Sequence, residues 1–177
     1  MKKDKLKKII KKNERLFGLK ILDKKADRYL MKEDFHIITF LENEIYRWEL
    51  QISIECAAEG RIHLMMFLHP IVITAETRSA YIEFANAANL YLSFEMGRFL
   101  VNDENDYCYE CYLPDILLEH ENELEKQLFD MPFAHFKDCL SPLMKMKNGG
   151  WSSEIAIKYL TELREYGYVD NQAYNLW

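Results

Sequence analysis

Glycine is scarce in this chain: six residues in 177, scattered singly apart from one pair. A phosphate-cradling loop or a dinucleotide fingerprint therefore has nothing to be built from. Serines 53, 79, 93, 141, 152 and 153 lack the Gly-x-Ser-x-Gly elbow of a nucleophile, and histidines 36, 63, 69, 120 and 135 lack His-x-x-x-His metal spacing. No window approaches the roughly 18 apolar residues of a membrane span. Lysines interrupt Leu6, Ile9 and Ile10, which denies the N-terminus the apolar core of a secretory signal. Cysteine is also sparse, at positions 56, 108, 111 and 139. Cys56 and Cys139 fall inside apolar periodic stretches, where a thiol behaves as a small hydrophobe; the expectation is reduced thiols in a cytosol, with no disulfide and no structural metal.

What the chain does contain is core material. The apolar fraction is 49%, charged residues make up 29% and aromatics 14%, the balance of one globular domain that folds on its own. The net charge of −6 conceals an asymmetry: residues 1–28 hold twelve Lys or Arg against four Asp or Glu (+8), and the remainder eleven against 25 (−14). The two parts attract. Leu6, Ile9, Ile10, Leu16 and Phe17 recur near helical spacing with lysines on the other side, the pattern of a helix docked on an acidic body. The alternative is a basic arm for an anionic partner, nucleic acid or a membrane surface.

Residues 23–34 suggest a short helix through Ala26, Tyr29, Leu30 and Met31, and residues 35–41 a strand. Residues 46–56 give the cleanest period-2 pattern: Tyr46, Trp48, Leu50, Ile52, Ile54 and Cys56 against Arg47, Glu49, Gln51, Ser53 and Glu55. One side is buried and the other wet, as in an antiparallel sheet. After a turn at residues 58–61 comes a more uniformly apolar strand, 62–68, placed toward the middle of the sheet and ended by Pro70. Thr74 is read as the cap of a helix carrying Tyr81, Phe84, Ala85, Ala88 and Leu92. Residues 94–101 and 107–113 form a hairpin about the acidic turn 102–106. Asp115 is read as the cap of a long helix that kinks or restarts at Pro132. Ser152 caps a last helix that Gly167 closes.

The strand end His69-Pro70, the helix leading to Arg78, the run Ala87-Ala88-Asn89-Leu90, the opener Gly97-Arg98-Phe99, the acidic turn and the helix of alternating Leu and Glu resemble the YbjN family over residues 35–148. That family comprises bacterial proteins described as sensory transduction regulators. The resemblance implies a fold like that of type III secretion chaperones; the N-terminal arm and the helix after Gly150 lie outside it.

The expected fold is α+β, a five-stranded antiparallel sheet with helices on one face, ordered α-β-β-β-α-β-β-α with a C-terminal helix. Residues 1–34 form a basic helical segment packed on the domain, 35–148 the core and 149–177 a helical extension, one globular unit in all. Cys108 and Cys111 lie three apart in a strand and so point to opposite faces, unable to share a metal. Glu119, Glu121, Glu123 and Glu125 read as a solvated helix face, and the acid around Tyr107, Tyr109 and Tyr112 repels the phosphates of a stacked nucleic acid. The remaining expectation is a non-enzymatic, cofactor-free, homodimeric binding or regulatory domain that holds a protein segment on its outer sheet face: Arg47, Glu49, Gln51, Ser53 and Glu55.

Overall fold

The computed structural model describes residues 2–22, 35–42, 45–57, 60–69, 71–91, 96–170 and 172–174. The expectations placed on residues 23–34, Pro70, Leu92 and Phe94 lie outside these. The elements run α1 (Lys2–Phe17), β1 (Lys20–Leu22), β2 (Phe35–Glu42), β3 (Arg47–Ala57), β4 (Arg61–His69), α2 (Arg78–Tyr91), β5 (Gly97–Val101) and β6 (Tyr107–Pro114). A 3₁₀ turn (Asp115–Glu119), α3 (Glu121–Glu125), a π turn (Lys126–Asp130), α4 (Met131–Lys147) and α5 (Ser153–Tyr166) complete the chain. The sheet is antiparallel and ordered β1-β2-β3-β4-β6-β5.

It has six strands rather than five. Gly18, at φ +60, turns the chain after α1, and Lys20–Leu22 then pairs with β2. A three-residue strand is too short to carry a legible alternation.

Alternation sorts the two sides of the sheet. Ile37, Leu50, Ile52, Ile54, Leu64, Met66, Tyr109 and Leu113 are at most 1% exposed and belong to one core that reaches from Leu6 to Tyr174. Helices cover this side: Phe136 of α4 packs edge-on against Phe99 (4.9 Å) and Tyr109 (6.5 Å). Trp48 and Cys56, expected on the same side, are only half-buried at its margin, and Lys147 lies 4.5 Å above the Trp48 ring.

The helices depart from expectation where local chemistry competes. Thr74 closes a turn by accepting from the Thr77 and Arg78 amides, and α2 begins only at Arg78. Asp115 caps nothing; its carboxylate pairs with Lys2 and its amide donates to the Gly60 carbonyl. The break in the long helix falls at His120 (φ −124, ψ 67) rather than at Pro132. Pro132 stands in the first turn of α4, where a missing amide is tolerated, and the wider π turn leads into it. Ser152 accepts from the Ile155 amide, and Gly167 adopts the left-handed conformation at the end of α5, both as expected.

Two polar side chains of α2 tie it to the hairpin. Arg78 donates to the Asn102 carbonyl (2.9 Å) and to Asn105 Oδ1. Asn89 donates to the Phe99 carbonyl (2.8 Å) and accepts from its amide (2.6 Å). At Gly97 a Cβ would collide with the Tyr109 phenol.

Candidate functional site

The side of the sheet opposite the helices is the candidate surface. β2 contributes His36, Ile38 and Phe40; β3 contributes Arg47, Glu49, Gln51, Ser53 and Glu55; β4 contributes Arg61, His63, Met65, Phe67 and His69; β6 and β5 contribute Cys108, Glu110, Tyr112, Arg98 and Leu100. Register places Ile38, Gln51, Phe67, Cys108 and Leu100 in one row across the strands, with His36, Ser53, Met65, Glu110 and Arg98 in the next.

All five surface residues expected from the sequence lie here. Arg47 is exposed, its guanidinium 4.8 Å over the Phe40 ring and 3.9 Å from Glu42, and Glu49 accepts from Gln51 (2.8 Å). Ser53 and Glu55 are half-buried farther along the strand.

The sequence reading of this face omitted its apolar part. Ile38, Met65, Phe67 and Leu100 are half-buried, and Cys108 is fully covered beside them. The signal lay in the continuous apolar run of β4: such a run suits a strand covered on both faces, yet the helices cover one. Around Phe67 the face dips into a recess of about 150 Å³ lined by His36, Gln51, Ile52, Ser53, Phe67, His69 and Asp106.

Beside the recess, Glu110 organises a polar cluster. It meets His63 Nε2, Tyr112 Oη and Arg98 Nη2 at 3.2 Å each, and the His63 and Tyr112 rings stack at 4.3 Å, 3° from parallel. Burial, and then Glu110, raises the Tyr112 hydroxyl pKa, which keeps it a donor. A carboxylate with three donors is already satisfied, so the cluster stiffens the face.

Three of the four cysteines are poor nucleophiles. Cys108 on the open face and Cys111 on the core face are pushed by burial up to about 12 and about 11, and Cys139 stands well above its ordinary value for the same reason. Thiols so raised stay protonated at neutral pH. No group of three or more His, Cys, Asp or Glu among the described residues has metal-binding geometry. On α4, burial lifts the Asp138 pKa up to about 6 and lowers that of His135.

The basic helix docks on the acidic body. Leu6, Ile9 and Ile10 are at most 2% exposed, and Phe17 packs on Phe129 (5.4 Å) and Phe133 (5.1 Å). Lys2 pairs with Asp115, Lys5 with Glu119 and Lys12 with Glu125 (2.7 Å), so the acidic helix read as solvated is the dock for α1. Leu16, counted in the buried stripe from the sequence, is 75% exposed. Lys7, Lys8, Lys11 and Arg15 stay on the exposed side of the helix.

The terminal strand β5 is closed to a further strand. Asn89 occupies both the amide and the carbonyl of its central residue, Phe99, as a neighbouring backbone would. No protein-family model matches the chain, and no curated protein matches it. No helix among the described residues is long and apolar enough to cross a membrane.

Proposed function

We propose that this protein is a non-enzymatic binding or regulatory domain of the cytoplasm, homodimeric, that holds a protein segment on the open face of its sheet. The observation that carries the reading is the half-buried apolar row Ile38, Phe67 and Leu100 on a face that no helix among the described residues covers. Polar groups flank it, the arrangement of a contact surface with a rim. Six strands about 4.8 Å apart, the longest of eleven residues, make a face on the order of 24 by 30 Å. That approaches the roughly 800 Å² per partner of a standard interface. With the β5 edge occupied by Asn89, the face is the better place for a partner than the edge. The resemblance to the YbjN family and its chaperone-like fold supports the same reading.

The test compares wild-type protein with Phe67→Ala. Light scattering on the wild type is expected to give a dimer mass. Quantitative mass spectrometry of co-purified proteins is expected to show partners depleted from the variant while its melting temperature stays within a few degrees. Partners retained in full by a folded Phe67→Ala variant would remove the open face from the mechanism.

A second reading, an adaptor for an anionic partner, rests on Lys7, Lys8, Lys11 and Arg15, which line the exposed side of a helix already fixed to the body. It requires polyanion or anionic-vesicle binding that weakens steeply with salt.

A further inference from the structure

We propose that the segment held on the open face is basic, and that the recess lined by Phe67 and Asp106 takes one of its arginine or lysine side chains. This rests on the binding role proposed above and adds the chemistry of the partner.

A recess of about 150 Å³ is below the 300–1,000 Å³ typical of cofactor and small-molecule sites and suits a single side chain. Its lining includes one aromatic phenyl ring, that of Phe67. Its lining holds one carboxylate, Asp106, whose Oδ2 accepts from Asn102 Nδ2 (3.2 Å) and pairs with no cation among the described residues. A second carboxylate, Glu49, stands on the rim, directly across the strand pair from the lining residue His69. An aromatic face beside an uncompensated carboxylate is the pairing that a long cationic side chain satisfies at both ends: its stem and charge lie over the ring, and its donors reach the oxygens. Gln51 and Ser53 add neutral acceptors. An acidic side chain entering the same recess meets Asp106 and finds no lysine or arginine in the lining.

The charge of the whole chain points the same way. It is −6 over all 177 residues and −14 from residue 29 onward, which favours approach of cations over anions. The molecule already receives one basic segment in this manner, since α1 seats Lys2, Lys5 and Lys12 on Asp115, Glu119 and Glu125 while its apolar side is buried.

The experiment is a fluorescence-polarisation titration of the full chain with three labelled nonapeptides, Val alternating with Arg, with Leu or with Glu, at physiological salt. It is repeated on Asp106→Asn, Phe67→Ala and a remote charge control, Glu154→Gln, each first checked by melting curve. The Arg peptide is expected to bind at least about tenfold more tightly than the others. Asp106→Asn and Phe67→Ala should each weaken it by roughly five- to tenfold. Glu154→Gln should leave it unchanged. Preference for the Leu or Glu peptide would overturn the basic partner while leaving a binding face intact. Arg-peptide binding that is indifferent to Asp106→Asn and folded Phe67→Ala would overturn the recess as its seat. Failure of all three peptides would overturn the proposal together with the binding role beneath it.

Discussion

On β3 the two sides of the sheet differ as alternation demands: Leu50, Ile52 and Ile54 are at most 1% exposed on the covered side, while Glu49, Gln51, Ser53 and Glu55 face outward. On β4 burial alternates as strictly, with Ile62, Leu64, Met66 and Leu68 under the helices, but half-buried Met65 and Phe67 stand among Arg61, His63 and His69 on the open side. Both strands thus separate core from surface by burial, and only β3 does so by composition as well. The lesson is that polarity on an antiparallel sheet is set strand by strand. An apolar outward residue beside a polar strand marks a contact surface more sharply than an all-polar row does.

The strongest way to test what holds the covered side is to remove α1. Deleting residues 1–17 takes Leu6, Ile9 and Ile10 from the core, at roughly 1.5–3 kcal/mol per buried side chain. The melting temperature should fall by about 10–20 °C. An unchanged melting temperature would make α1 a solvated arm.

Adjacent positions on β3 test the two sides directly. Ile52→Asp puts an unpaired charge under the helices and should cost more than about 3 kcal/mol, whereas Gln51→Lys should cost roughly 0.5 kcal/mol. Similar chemical-denaturation midpoints for the two would mean the register is displaced by one residue.

Asn89→Ala leaves the Phe99 amide and carbonyl without their side-chain partner. A loss of about 1–2 kcal/mol is expected, with faster hydrogen exchange at the Phe99 amide and greater self-association at high concentration as the edge opens. Unaltered exchange at Phe99 would show that another group guards the edge.

The smallest effect concerns the helical layer. Burial raises Asp138 from 3.8 up to about 6 in the folded protein. Folding then favours the protonated form, so its stabilising contribution is complete below about pH 4 and is lost as pH rises toward 6. Asp138→Asn should match the wild type near pH 4 and exceed it by about 1 kcal/mol at pH 7, a figure discounted for the partial exposure of the group. A stability difference that does not vary with pH would remove Asp138 as the titrating group.

Much of the architecture was legible residue by residue. The alternation of β3, the Ser152 cap, the Gly167 terminus and the opposite facing of Cys108 and Cys111 are consequences of chain geometry within a few residues. The stripe Tyr81, Phe84, Ala85 and Ala88 of α2 follows from helical spacing in the same way. The open face was half legible. Its β3 residues declared themselves by polarity, but Phe67 lay inside the uniformly apolar run 62–68, and composition alone does not say how many faces a strand has covered.

Local features are thus written into the chain: which residues alternate, where it turns and caps, and that a positive N-terminal helix faces a negative body. The assembled fold fixes the rest: which acids receive Lys2, Lys5 and Lys12, that Lys20–Leu22 adds a sixth strand, and that His36, Phe67 and Asp106 from two strands and a turn share one recess. Periodicity is written into consecutive residues, whereas these meetings depend on strand order and register across dozens of positions, and on packing that settles only when the whole sheet has closed on its helices.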